Sequence, residues 1–302
     1  MSLEQWNSEY GIEGQVEVLE GEGGFPLIKI TNDQGTAEVS LYAGHVLSFR
    51  PATESEDLIF VSSDVQYKAG KAIRGGIPIC WPWFGPDPEG LGRPNHGFVR
   101  NRLWNVVSTA ALPTGETQVT LGLKDTDESR EIWPYAFDLT LELTVGSALT
   151  LALVTRNLGD QTFPITQALH TYFKIGDINP VQVLGLEGLA YIDKMDAEVT
   201  KTQSGVVTIA EPVDRIYLDA PSELVIDDPA LGRRIRITST GSQTAVVWNP
   251  WIEGAAQMGD LGDQDYQHFV CVETVNAAKD VIEVSPKGEH RLVATYTAER
   301  DG

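Results

Sequence analysis

Three arginines, Arg74, Arg93 and Arg100, lie within or beside a segment rich in glycine and proline at residues 73–100. A guanidinium offers a planar fork of donors that matches phosphate or carboxylate in a bidentate way. The chain carries 43 acidic and 22 basic side chains, a formal net charge of −21, so an anionic ligand needs local cations. The cluster therefore predicts a site for a dianionic ligand. The alternative is that these arginines pair with the plentiful surface carboxylates.

Two of the five histidines have sequence surroundings that could hold an imidazole in a cleft. His96 lies in the run NHGF and His170 in the run LHTYF, each beside aromatic residues and loop signals. Histidine can donate or accept a proton near neutral pH, although a lone histidine is more often structural. No histidine or cysteine spacing is typical of a zinc site, so we predict no catalytic metal.

Glu273 is a carboxylate within the otherwise apolar run FVCVETVN. Side chains alternate between the faces of a strand, so Glu273 shares a face with Cys271 and Val275. Burial among such neighbours raises the pKa of a carboxyl toward the range of a general base. A salt bridge to an arginine across the sheet is the structural alternative. Asp214, in the run VDRIY, is a weaker candidate.

The elements that must position these residues are predicted to be strands. Residues 137–145 alternate apolar and polar side chains, turn at Gly146-Ser147, and alternate again from residue 149 to residue 153, as in a hairpin with one buried face. Roughly eighteen runs fit a strand template, and no βαβ rhythm is present. We therefore predict an all-β fold, a large antiparallel β-sandwich, with residues 1–302 as one domain.

Charge and composition exclude several classes of protein. An acidic chain of this size repels nucleic acid and anionic membrane surfaces. Its two cysteines, Cys80 and Cys271, are 191 positions apart, which favours a reducing compartment over a disulfide framework. The first residues resemble no signal peptide, and no apolar run reaches the length of a membrane-spanning helix. We expect a cytoplasmic protein.

Familiar catalytic motifs are absent from the sequence. There is no Gly-x-Ser-x-Gly elbow, phosphate-binding Gly-x-x-x-x-Gly-Lys-Ser/Thr loop or dinucleotide fingerprint. Paired carboxylates across a cleft would also suit a glycoside hydrolase, and the sequence does not give their separation.

Several separate blocks together carry a family resemblance. The blocks IRGGIP from Ile73, WPWFG from Trp81 and NHGFVRN from Asn95 are followed by LHTYF, DRIY, WNPW and CVE. In this order they resemble the hexose-6-phosphate mutarotases, also called glucose-6-phosphate 1-epimerases. The resemblance runs from near residue 25 to near residue 295.

The resemblance implies a galactose-mutarotase-type β-sandwich, no cofactor, and interconversion of the α and β anomers of an aldohexose 6-phosphate. By position in the blocks it makes Glu273 the catalytic base and His170 the catalytic acid. It places Arg74 and Arg100 at the phosphate. It also implies that His96 and Asp214 contact the sugar. Arg93 falls where the family varies and has no assigned role. Three tryptophans, Trp81, Trp83 and Trp248, either cover the sugar ring or belong to the core.

Two other functions stay open from the sequence. The protein could be an aldose 1-epimerase of unphosphorylated sugars, or a carbohydrate-binding β-sandwich without turnover, because a fold does not fix a function. For the leading hypothesis we expect a monomer whose partner is a small-molecule sugar phosphate, with neither nucleic acid nor membrane involved.

Overall fold

The computed structural model describes residues 1–300 and consists mainly of antiparallel strands. The strands are, in chain order, β1 (Val16–Glu20), β2 (Pro26–Asn32), β3 (Gly35–Ser40), β4 (His45–Pro51), β5 (Ile79–Cys80), β6 (Asn105–Ala111), β7 (Thr117–Lys124), β8 (Phe137–Val145), β9 (Ala148–Asn157), β10 (Phe163–Ile165), β11 (Gln167–Leu169), β12 (Tyr172–Lys174), β13 (Gln182–Leu184), β14 (Ala190–Asp193), β15 (Val199–Thr202), β16 (Val207–Thr208), β17 (Val213–Leu218), β18 (Glu223–Asp228), β19 (Arg233–Thr240), β20 (Thr244–Asn249), β21 (Phe269–Asn276), β22 (Ile282–Val284) and β23 (Glu289–Arg300). The α-helices are α1 (Leu3–Tyr10), α2 (Asp127–Ile132) and α3 (Trp251–Gln257), and single 3₁₀ turns lie at Glu22–Gly24, Val99–Asn101 and Asp265–Gln267.

Two large sheets dominate the architecture. One has nine strands in the order β16-β13-β18-β19-β23-β9-β8-β7-β6. The other has eight strands in the order β15-β14-β17-β20-β21-β11-β5, with β12 paired to β21 beyond the end of β11. The predicted hairpin is present as β8 and β9, paired antiparallel from Phe137 to Val145. The prediction of a large antiparallel β-sandwich is confirmed.

The core lies between the two large sheets, because one face of each sheet is apolar. The ring of Phe173 on β12 packs edge-on against that of Tyr296 on β23, with 5.0 Å between ring centroids. Beside them, the Thr171 and Tyr296 hydroxyls form a buried hydrogen bond of 2.7 Å. Leu153 and Val272 belong to the same buried cluster. The strand alternation thus turns residues 169, 171 and 173 toward the core and leaves residues 170 and 172 on the opposite face.

The structure adds elements that the alternation did not reveal. Strands β1 to β4 form a separate four-stranded sheet, and β10 pairs with β22 alone. Helix α1 begins at a capping box in which Ser2 and Gln5 satisfy each other's backbone N–H groups, and it buries Trp6, as capping chemistry favours. The prediction of one domain over residues 1–302 stays a prediction. Within residues 1–300 no helix is long and apolar enough to cross a membrane.

The long segment at residues 73–100 is largely irregular but held against the sheet by close backbone contacts. Gly97 forms a parallel bridge with Trp81, and the Phe98 N–H donates to the Trp81 carbonyl at 3.1 Å. Gly97 has φ +71°, and a Cβ at this position would lie 1.8 Å from the Trp81 oxygen. Only glycine therefore fits here.

This contact predicts a strong and local requirement for glycine. Gly97→Ala combines the left-handed backbone cost of about 1–2 kcal/mol with a steric clash, and we expect a loss of at least about 3 kcal/mol in the free energy of unfolding. Gly92→Ala is the matched control, since φ is +79° and no atom lies within 4 Å of its Cβ; it should lose only about 1 kcal/mol. Urea unfolding measures both, and equal losses would contradict the close-approach argument.

Candidate active site

The candidate site lies on the face of the eight-stranded sheet that points away from the sandwich core. On β21, Val270 and Val272 join the core, whereas Cys271 and Glu273 turn to the other face. All eight residues of β21 are buried, because the core covers one face and the loops around the site cover the other. The predicted face assignment of Glu273 agrees with this arrangement.

His170 occupies the break between β11 and β12, both of which pair with β21. Leu169 lies opposite Thr274 in the β11–β21 register, so the next residue comes beside Glu273. The backbone N–H of His170 donates to the Pro78 carbonyl at 3.0 Å. Its ring stacks on Tyr172 with 5.1 Å between centroids and 11° between planes. Strand pairing thus brings His170 close to Glu273, although about one hundred residues separate them in the sequence.

His170 and Glu273 form a close buried pair. His170 Nδ1 lies 3.4 Å from Glu273 Oε1, with 12% and 1% of the two side chains exposed. Among residues 1–300, Glu273 Oε2 and His170 Nδ1 have no hydrogen-bond partner. No described arginine pairs with Glu273, in contrast to the salt-bridge alternative. Unpaired buried polar atoms are costly unless a ligand completes them, and both border a cavity.

The surroundings shift the two pKa values in opposite directions. Burial raises the pKa of Glu273 well above its ordinary value, and the nearby Asp214 charge adds to this shift. Burial also lowers the pKa of His170 well below its ordinary value, and the positive charge of Arg100 adds to that shift. The two directions together favour a neutral pair, with a protonated Glu273 carboxyl beside a neutral His170 imidazole. This differs from the charged pair expected from acid and base roles.

Arg74 is placed at the cavity by the segment between β4 and β5, where the Ser62 N–H donates to the Arg74 carbonyl at 3.2 Å. Its Nε and Nη2 donate to the two Asp260 oxygens at 3.1 and 3.4 Å. Nη1 donates to the Tyr172 hydroxyl at 3.2 Å. A guanidinium has five N–H donors, so two remain for a ligand.

Arg100 lies in the 3₁₀ turn after His96 and reaches the same cavity. Its Nη2 donates to the Asn95 carbonyl at 2.8 Å, while its buried Nε has no partner. No carboxylate within residues 1–300 forms an ion pair with Arg100. Arg100 therefore presents an uncompensated positive charge, which is what a bound anion requires.

His96 is fixed above the cavity by its own loop. It has φ +62°, its N–H donates to the Gly85 carbonyl at 2.7 Å, and its Nδ1 accepts from the Gly85 N–H at 3.2 Å. Burial lowers the pKa of His96 to about 3, with the Arg100 charge contributing. The ring is thus neutral at pH 7, and its Nε2–H is available as a donor.

The structure brings all six predicted site residues to one cavity of about 280 Å³: Arg74, His96, Arg100, His170, Asp214 and Glu273. Asp214 lies on β17 directly opposite Trp248 on β20, and Trp248 also lines the cavity. Burial raises the pKa of Asp214. The cavity combines an imidazole–carboxyl pair, two arginines and further polar groups over one face of the sheet, an arrangement that suits proton transfer on a small polar anion.

Three residues with open assignments lie outside the cavity. Arg93 donates from Nε to Asp87 at 2.9 Å and from Nη1 to the Ile132 carbonyl at 3.1 Å, and it covers the Trp83 ring at 4.4 Å. For Arg93 the carboxylate-pairing alternative therefore holds. Trp81 and Trp83 are core residues with 0% and 3% exposure.

Sequence reasoning missed four polar residues of the site. Asn95, Tyr172 and Lys194 line the cavity, and Asp260 holds Arg74. Tyr172 could have been found, because it lies two residues after His170 and so shares its strand face. Lys194 and Asp260 stand among polar surface-like residues and give no such signal.

Comparison with known proteins gives consistent relatives. A model of the aldose 1-epimerase family matches residues 26–297. A protein of Escherichia coli K12 named "Putative glucose-6-phosphate 1-epimerase" is 37% identical over 275 residues, covering 91% of this chain and 91% of that protein. A protein of the same name from Cenchrus ciliaris is 38% identical, covering 81% and 76%.

A solved structure from Salmonella typhimurium, described as a "putative mutarotase (YeaD)", is also similar. It superposes with a TM-score of 0.90 at 33% identity and covers 97% of this chain and 96% of its own. The similarity therefore extends over nearly the whole chain.

The placement of Arg93 predicts that it stabilises its loop without binding the anion. In Arg93→Gln the Asp87 contact is lost, and we expect the melting temperature to fall by about 2–4 °C. Binding of inorganic phosphate, followed by NMR titration, should be unchanged. A folded Arg93→Gln protein that no longer binds phosphate would contradict this placement.

Proposed function

The chain belongs to the aldose 1-epimerase family, and we propose that it is a hexose-6-phosphate mutarotase that interconverts the α and β anomers of glucose 6-phosphate and related aldohexose 6-phosphates. The observation that carries the proposal is the buried His170–Glu273 pair at 3.4 Å in the same cavity as Arg74 and Arg100. The names of the relatives point to the same substrate.

Anomer exchange needs one acid and one base. The C1 hydroxyl loses a proton while the ring oxygen gains one, the ring opens to an aldehyde, rotation about the C1–C2 bond exchanges the faces, and the ring closes again. Glu273 takes the hydroxyl proton and His170 gives one to the ring oxygen; on closure the two reverse these roles. General acid and base assistance of about 10² to 10⁴ per group is the usual range.

The substrate phosphate supports this proton arrangement. The positive charges of Arg100 and Arg74 help to keep the pKa of His170 low, after the larger effect of burial. A phosphate bound to these arginines neutralises them, so the pKa of His170 rises. The charges that act on Glu273 are instead those of Asp214 and Lys194. Substrate binding therefore favours transfer of the proton from Glu273 to His170, which prepares the acid and the base together.

The remaining site residues have supporting roles in the proposal. Arg100 and Arg74 bind the phosphate, with Arg74 oriented by Asp260. The neutral His96 donates from Nε2 to a sugar oxygen, and Asp214 accepts from a hydroxyl. Trp248 covers part of the ring, as aromatic side chains do for apolar sugar faces. No cofactor takes part in this chemistry.

We further propose that the protein acts as a monomer in the cytoplasm. Both cysteines are buried and unbridged, which suits a reducing compartment. The proposed chemistry needs only the six site residues of one chain, so one subunit suffices for it.

The first prediction from this mechanism concerns Glu273. Glu273→Gln removes the base but keeps the shape, so kcat for glucose 6-phosphate should fall by about 10² to 10⁴ while substrate affinity is kept. NMR exchange spectroscopy of the two anomers measures the rate above the spontaneous background. If the wild-type protein at micromolar concentration leaves the anomerisation rate unchanged, the proposed function is wrong and a carbohydrate-binding protein is favoured.

A second prediction concerns the phosphate. Arg100→Gln removes a charge-assisted contact of about 1.5–3 kcal/mol, so kcat/KM for glucose 6-phosphate should fall about 10- to 100-fold. The value for unphosphorylated glucose should change far less, because the lost charge acts on this sugar only through the pKa of His170. Arg102→Gln is the matched control, since Arg102 pairs with Glu128 at the surface at 2.8 Å. Equal activity of Arg100→Gln and wild type on the phosphorylated sugar would favour an aldose 1-epimerase of unphosphorylated sugars.

A further inference from the structure

Lys194 and Asp214 lie directly opposite each other at one side of the cavity floor. Asp193 of β14 pairs with Arg215 of β17, and the Lys194 N–H continues the ladder by donating to the Asp214 carbonyl at 2.9 Å. Directly opposed residues of an antiparallel pair share a face. Both side chains line the cavity.

Neither side chain is used inside the protein. Within residues 1–300, Lys194 Nζ and the Asp214 carboxylate make no hydrogen bond and no ion pair, with each other or with any other residue. Lys201 on the adjacent β15 behaves differently, since its Nζ contacts Asp193 at 2.8 Å and Asp196 at 2.7 Å. A partly buried donor and a partly buried acceptor, side by side and unpaired, suit a ligand group that both accepts and donates. A hydroxyl is such a group.

The sheet register places this pair far from the Arg74 side. Asp214 lies opposite Trp248, Trp248 opposite Cys271, and Cys271 opposite Tyr172. The Tyr172 hydroxyl in turn accepts from Arg74. Neighbouring strands are about 4.8 Å apart, so the row from β14 to β12 spans the floor of the cavity, with Lys194 at one end and Arg74 at the other.

The shape of a hexose 6-phosphate then decides which hydroxyls meet Lys194. The phosphate is attached through C6 to C5, next to the ring oxygen. With the phosphate at Arg74 and Arg100, the ring oxygen at His170 and O1 at Glu273, the opposite edge of the ring is C2–C3. That edge carries two adjacent hydroxyls.

We propose that Lys194 is a specificity-determining residue, which together with Asp214 binds the vicinal C2 and C3 hydroxyls of the sugar. This inference rests on the proposed mutarotase function. The electrostatics support this assignment. Burial raises the pKa of Asp214, but the Lys194 charge acts in the opposite direction and so favours an ionised Asp214 that can accept hydrogen bonds. The pair makes the enzyme selective for sugars in which both hydroxyls are present.

The test compares glucose 6-phosphate with its 2-deoxy and 3-deoxy analogues in wild type, Lys194→Met and Lys194→Arg. Anomer exchange is followed by NMR, and folding by circular dichroism. Wild type should prefer glucose 6-phosphate over each analogue by about 10- to 100-fold in kcat/KM, because a hydrogen bond to a charged group is lost. In Lys194→Met this preference should fall at least about threefold, because only the contacts of Asp214 with the hydroxyls remain, whereas Lys194→Arg keeps the charge and retains most of it. Lys201→Met is the matched control and should behave like wild type.

The outcomes separate the two proposals. Wild-type activity on glucose 6-phosphate with an unchanged preference in folded Lys194→Met overturns the role of Lys194 and leaves the mutarotase function standing. No wild-type acceleration overturns both. Should Lys194→Met fail to fold, Lys194→Gln carries the same comparison, since a purely structural role would lower the activity on all three sugars equally and leave the preference intact.

Discussion

The central physical constraint of this molecule is the burial of an ionisable carboxyl that the protein itself leaves half satisfied. Glu273 has 2% exposure, and its Oε2 has no partner within the described chain. Such a group is tolerated because a neutral form is available, with the proton held on the carboxyl beside a neutral imidazole. The strand ladder keeps the pair together: β21 supplies Glu273, and both strands that flank His170 are bonded to β21. The sheet thereby holds the two buried groups 3.4 Å apart.

The second constraint is electrostatic. A protein with a net charge of −21 opposes the approach of an anion, and most of its arginines are neutralised by carboxylates, as Arg93 is by Asp87. Arg100 is different because its fixed partners are uncharged. Selectivity for an anion therefore depends less on how many cations the chain has than on which cations the fold keeps away from acidic side chains.

The strands could be predicted from the sequence more fully than the contacts of individual side chains could. Alternation at residues 137–153 is a local pattern, so the hairpin of β8 and β9 followed from it. The contact of His170 with Glu273 depends on a register between strands about one hundred residues apart, and only the family resemblance pointed to it. Arg93 and Arg100 look alike in sequence; their difference comes from Asp87, which binds Arg93 and three backbone N–H groups of the same loop. Lys194 follows a strand of four residues and carries no pattern at all.

The proposed proton-transfer pair and the two arginines of the same cavity lie on different kinds of structure. Glu273 lies on β21 and His170 lies between β11 and β12, which both pair with β21, whereas Arg74 and Arg100 lie in the irregular segment that covers the sheet. Because of this division, the irregular segment can be changed to fit a ligand of another charge or size. The sheet residues beneath it, and the chemistry proposed for them, can stay the same. New ligand classes are therefore reached most easily by rebuilding the parts of residues 73–100 that lie outside Pro78 and β5, because Pro78 accepts from the His170 N–H and β5 pairs with β11.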